Sequence, residues 1–77
     1  MIKFKPYKVG APVQWKWVGG IVDGKVEEVF FGPVEKELKG KKIKRNGSVE
    51  KPAYLVKSEA GNLALKLHTE LIEKLKS

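Results

Sequence analysis

Few residues in this 77-residue chain have types and spacing that could carry chemistry, and most of those fail on inspection. Gly19-Gly20-Ile21-Val22-Asp23-Gly24-Lys25 has the glycine and lysine spacing of a phosphate-cradling P-loop. Position 26 is valine where that loop needs a Ser or Thr for magnesium, and no helical pattern follows, so the match is accidental. His68 is the only histidine and there is no cysteine, which removes His-based metal clusters, thiolate sites and a Ser-His-Asp arrangement. Glu27-Glu28 and Glu35/Glu37 lie among lysines, whose charge favours the ionised carboxylate and leaves no poised acid or base. The expectation is a chain without catalytic residues, metal or cofactor.

What remains is charge and aromatic surface. Sixteen Lys and Arg against nine Asp and Glu give +7, and Arg45 is the one arginine. Lys39, Lys41, Lys42, Lys44 and Arg45 place five positive charges in one short stretch, suited to lying along a phosphate backbone. A lysine ammonium is a mobile point charge, whereas bidentate reading of phosphates or guanine edges favours arginine, so binding of that kind has low sequence specificity. The structural alternative is a solvated strand edge whose lysines keep sheets apart. Among the aromatics, Phe4, Trp15 and Phe30 read as core, while Trp17, Phe31 and Tyr54 stand near strand ends and form a candidate rim. Such a rim can hold a methylated ammonium by cation–π attraction or stack a base, with core packing as the alternative.

The elements that must position these residues are short and β-like. Residues 1–8 are a loose lead-in. Val13-Gln14-Trp15-Lys16-Trp17 alternates apolar and polar and predicts a half-buried strand, and Gly19-Gly20 predicts a turn. Ile21 to Phe31 is a longer β-prone run in which strict alternation fails, so the strand must kink, with Gly24 as the expected point of bending. Val34, Lys36 and Leu38 share a face, Lys39-Gly40-Lys41 predicts a hairpin tip, and Asn46-Gly47-Ser48 ends the short return strand. Ala53 to Lys57 and Leu63 to Leu67 predict a second hairpin around Glu59-Ala60-Gly61-Asn62. Thr69 predicts the cap of a short C-terminal helix with Leu71, Ile72 and Leu75 as its apolar stripe. Five to six short strands and one brief helix describe a mainly β protein, a small SH3-like barrel occupying residues 1–77 as a single domain. No apolar run suits a signal peptide or a membrane span, so a cytoplasmic location is expected.

Val9-Gly10, Val13-x-Trp15, Gly24-Lys25-Val26, Gly40, Lys44-Arg45-Asn46-Gly47-Ser48, Pro52-Ala53-Tyr54 and Lys66-Leu67-His68-x-Glu70 together resemble the hypervirulence-associated TUDOR-domain family, from about Tyr7 to Leu71. The resemblance implies a Tudor-like barrel with a binding role. The chain has Ala11-Pro12 where that family commonly places an acidic residue, and its first loop, Val18-Gly19-Gly20, carries no aromatic at the tip as methyl-reading Tudor domains do. The functional expectation is a non-enzymatic binding module for an anionic partner, nucleic acid ahead of an acidic protein surface, through Lys39, Lys41, Lys42, Lys44 and Arg45. The alternatives are a peptide reader, for methylated Lys or Arg, using Trp17, Phe31 and Tyr54, and an accessory domain that pairs weakly with itself through a strand edge.

Overall fold

The computed structural model describes residues 6–73. Seven strands follow in order: β1 Pro12–Trp17, β2 Gly20–Phe30, β3 Pro33–Leu38, β4 Lys41–Asn46, β5 Ala53–Ser58, β6 Leu63–Leu67 and β7 Leu71–Glu73, with a single 3₁₀ turn, His68–Glu70, before β7. Five of them make one antiparallel sheet in the order β6-β5-β2-β1-β7, and β3 and β4 form a separate two-stranded sheet. The larger sheet is curled. In a flat sheet β6 and β1 would stand about 14 Å apart, three strand spacings, with side chains projecting in parallel. Instead the Lys66 Nζ of β6 lies 5.7 Å from the ring centroid of Trp17 on β1.

The period-2 pattern read from β1 is the one the core uses. Val13 and Trp15 are buried while Pro12 and Lys16 are exposed, and Val26, Tyr54, Val56 and Leu71 complete the concave side. Across that side the lead-in folds back, with Gly10 N–H donating to Val26 O and Val26 N–H to Ala11 O, so Tyr7 and Ala11 pack on the same cluster. The opposite face of β5 and β6 is also apolar, carrying Ala53 and the nearly inaccessible Leu65. The β3–β4 hairpin packs against β6, which gives the molecule a second layer.

The kink in β2 lies elsewhere than at Gly24. Val26 pairs with Val56 and Glu28 with Leu55, so Glu27 is the extra residue of a bulge. That one-residue slip brings Val29 to the same core as Val26, which a regular strand could not do. Gly24 meets a different demand, close approach. A Cβ there would collide with the Lys57 carbonyl oxygen and sit 2.7 Å from Cη2 of the Trp15 ring. Atoms of the Trp15 ring occupy the space where a side chain would otherwise stand.

The expected C-terminal helix is a strand. Thr69 caps nothing of the kind: the Glu70 carboxylate accepts the Leu67 N–H at 2.8 Å and closes one 3₁₀ turn, after which Leu71–Glu73 pairs antiparallel with β1. Leu71 is buried and Ile72 exposed, alternation in place of a helical stripe, and Leu75 lies outside the described residues. The open edge of β1 explains the change. Its unpaired N–H and C=O groups reward a strand more than three residues gain from an isolated helical turn.

Candidate nucleic-acid interface

Leu38 and Lys41 pair across a two-residue turn, Lys39-Gly40, in which both residues have positive φ, 52° and 78°. That backbone matches the twist of the flanking strands, and Gly40 supplies one of its two left-handed positions without steric cost. Period-2 alternation then splits the basic stretch between two faces. Lys41 and Arg45 share a face with Val34, Lys36, Leu38 and Ile43, several of them half-buried where the hairpin meets β6. Lys42 and Lys44 lie on the outer face, directly opposite Glu37 and Glu35. Cross-strand pairs of opposite charge on one face offset each other's field.

The five basic residues are therefore unequal. Arg45 is half-buried and held by Glu70, Nε to Oε1 3.4 Å, while one of its terminal nitrogens donates to Lys44 O at 3.2 Å. Lys36 pairs with Glu28 at 3.6 Å and lies over the Phe30 ring, 5.2 Å from its centroid. At the tip, Lys39, Lys41 and Lys42 are exposed, and none of the three has a carboxylate within ion-pair distance among the described residues. The excess positive charge sits at the turn and its first return residues, with the base of the hairpin paired off.

The aromatic trio does not assemble. Tyr54 is fully buried beneath the lead-in, so it lines no rim. Trp17 and Phe31 are exposed, 63% and 51%, but they flank opposite ends of β2, and no ring contact joins them among the described residues. Trp15 is core as expected, Phe30 is half-buried, and Phe4 lies outside the described residues.

What Tyr54 does instead is organise a buried polar knot. Its hydroxyl oxygen accepts the Tyr7 N–H at 3.0 Å and stands 2.8 Å from His68 Nδ1. The hydroxyl keeps one proton and a second lone pair, so toward Nδ1 it donates or accepts according to the imidazole tautomer. Tyr7 stacks on the His68 ring at 4.8 Å and 19°. Burial raises the Tyr54 hydroxyl above the ordinary 10.0, partly opposed by the Tyr7 N–H bond, and burial lowers His68 below 6.5. Nothing in the sequence announced this knot, because its members lie 47 and 14 residues apart. The same holds for Lys66 over Trp17.

A groove on the outer side of β1, β2 and β5 is lined by Lys25, Lys57, Glu27 and Glu59 with Gly10 and Gly61, a mixed-charge surface with no preference for either sign. Among the described residues no three His, Cys, Asp or Glu side chains gather as a metal site would require, and no helix is long and apolar enough to cross a membrane.

A comparison with protein families matches residues 10–71 to the model described as the hypervirulence associated proteins TUDOR domain. The chain belongs to that family. No curated protein and no solved structure matches. The matched stretch of this Tudor domain takes in β1 to β6, the whole basic hairpin, Trp17, Tyr54 and His68, and leaves Tyr7 just outside. Its mainly β architecture and curled sheet agree with the family, with seven strands in place of five or six and a 3₁₀ turn in place of the helix.

Proposed function

We propose that this Tudor domain is a non-enzymatic binding module that engages an anionic partner, nucleic acid of low sequence specificity ahead of an acidic protein surface, through the tip of the β3–β4 hairpin. The observation that carries the reading is the contrast within the hairpin. Arg45 and Lys36 are tied to Glu70 and Glu28, whereas Lys39 and Lys41 stand at the turn with no carboxylate opposite them and, like the exposed Lys42 beside them, in no ion pair among the described residues. Lys42 and Lys44, opposite Glu37 and Glu35, contribute less than Lys39 and Lys41. Low specificity follows from chemistry: the tip carries lysines, mobile point charges, and the one arginine, Arg45, lies half-buried with its Nε 3.4 Å from a Glu70 oxygen. The buried position of Tyr54 removes the support for a peptide reader built on Trp17, Phe31 and Tyr54.

Titrating the domain with a mixed-sequence oligonucleotide at several salt concentrations tests the proposal. Each phosphate contact contributes a log–log salt slope of about 0.7 on single strands and 0.9 on duplex. Three contacts predict roughly a 20- to 40-fold loss of affinity between 50 and 200 mM salt. Replacing Lys39, Lys41 and Lys42 together by Gln abolishes most of that slope with the circular dichroism unchanged. A triple variant that binds with unaltered affinity and slope refutes the hairpin as the working surface.

A further inference from the structure

We infer that Trp17 is a stacking platform for an unpaired nucleobase, which makes single-stranded nucleic acid the favoured ligand of this domain; the inference deepens the reading above and rests on it. Trp17 falls on the core-facing side of β1 together with Val13 and Trp15, yet lies past the end of the core and remains 63% exposed. Large indole rings are ordinarily covered on average, so an exposed one at the end of a strand is a surface with a use to be explained. Around it the chain from Lys16 to Val22 contains no acidic residue, and Val18, 89% exposed, adds apolar surface at the β1–β2 turn.

The charge beside the ring selects the occupant. Lys66 Nζ lies over Trp17, 5.7 Å from its centroid. A cation already facing the ring repels a second one, which argues against a methylated ammonium at this place. The same lysine suits a ligand that offers a flat π-face and an anion a few ångströms away. A nucleotide is that ligand, its base on the indole and its phosphate toward Lys66. A base can reach the ring only when it is outside a duplex stack, so the preference is for single strands.

The two tryptophans make the test direct, since Trp15 is buried and Trp17 alone of the pair meets a soluble quencher. Oligothymidylate should bind more tightly than a duplex of equal length, quench the fluorescence and shield Trp17 from acrylamide. Trp17→Ala should weaken single-strand binding by roughly 5- to 150-fold, the span of measured base–aromatic stacking, with the salt slope unchanged because every lysine remains. Trp17→Phe, which keeps a ring, should recover most of the loss. Three results overturn the inference. If single strand and duplex bind alike and Trp17→Ala is silent while the Lys39, Lys41 and Lys42 variant still loses binding, the hairpin reading stands and the stacking site does not. Shielding that rises with protein concentration alone assigns the surface to a second copy of the chain. Binding of neither oligonucleotide, even at low salt, removes both proposals together.

Discussion

Tyr54→Phe is the sharpest test of how this small core is held, because it removes one oxygen and leaves the ring in place. That oxygen accepts the Tyr7 N–H and bonds His68 Nδ1, so two hydrogen bonds are lost with little change of volume. At about 1 kcal/mol net for each bond the expected cost is about 2 kcal/mol. For a domain near this size that lowers Tm by roughly 8–16 °C. Urea unfolding followed by circular dichroism gives the difference directly, and an unchanged m-value would show that the denatured state is unaltered. The knot also predicts a pH dependence. Burial lowers His68 below 6.5, so the folded protein holds it neutral while the unfolded chain takes up the proton first. The stabilisation is fully present above about pH 6.5 and declines as pH falls through that value and the lower folded one. Structurally, protonation would put a positive charge in a partly buried contact with Tyr7 and Tyr54, where desolvation disfavours it. His68→Asn, which cannot titrate, should flatten the stability profile between pH 5 and 7 relative to the parent. A Tyr54→Phe variant within about 0.5 kcal/mol of the parent, or a parent profile already flat over that range, would refute the reasoning.

Gly24→Ala should destabilise by about 1–3 kcal/mol or more, since the new methyl collides with the Lys57 carbonyl and the Trp15 ring; thermal unfolding measures it, and a neutral result would mean the ring has room to move. Glu70→Gln should cost well under 1 kcal/mol, because its ion pair with Arg45 is partly exposed and the amide oxygen can still accept the Leu67 N–H. Glu70→Ala should cost about 1 kcal/mol more by losing that bond as well, and equal costs for the two variants would show that the turn does not depend on it. The salt-slope and stacking experiments described above complete the set, and the Trp17 variants should leave stability almost unchanged, as the ring lies outside the core.

How much of this was readable from the residues depends on whether the interaction concerned is local. The β1 alternation, the Lys39-Gly40 turn, the β5–β6 hairpin and the failed P-loop could all be read directly, because each is decided by neighbours within a few positions: side-chain period, a glycine permitting positive φ, a missing hydroxyl. Composition alone, with one histidine and no cysteine, excluded His-based metal clusters and thiolate sites. The basic stretch was visible, but its division into Lys42 and Lys44 opposed by Glu37 and Glu35, Arg45 tied to Glu70, and Lys39 and Lys41 with no carboxylate opposite required knowledge of register, which is a property of two strands together. Three further features were decided only by the tertiary structure. Leu71 joined a strand because β1 had an open edge to fill, Gly24 proved to be a contact point because Trp15 and Lys57 converge on it, and Tyr54 was drawn inside because Tyr7 and His68 satisfy its hydroxyl there. The physical reason is common to all three. Strand pairing, close packing and the satisfaction of a buried polar group depend on partners distant in the chain, and no local pattern encodes which partner will arrive.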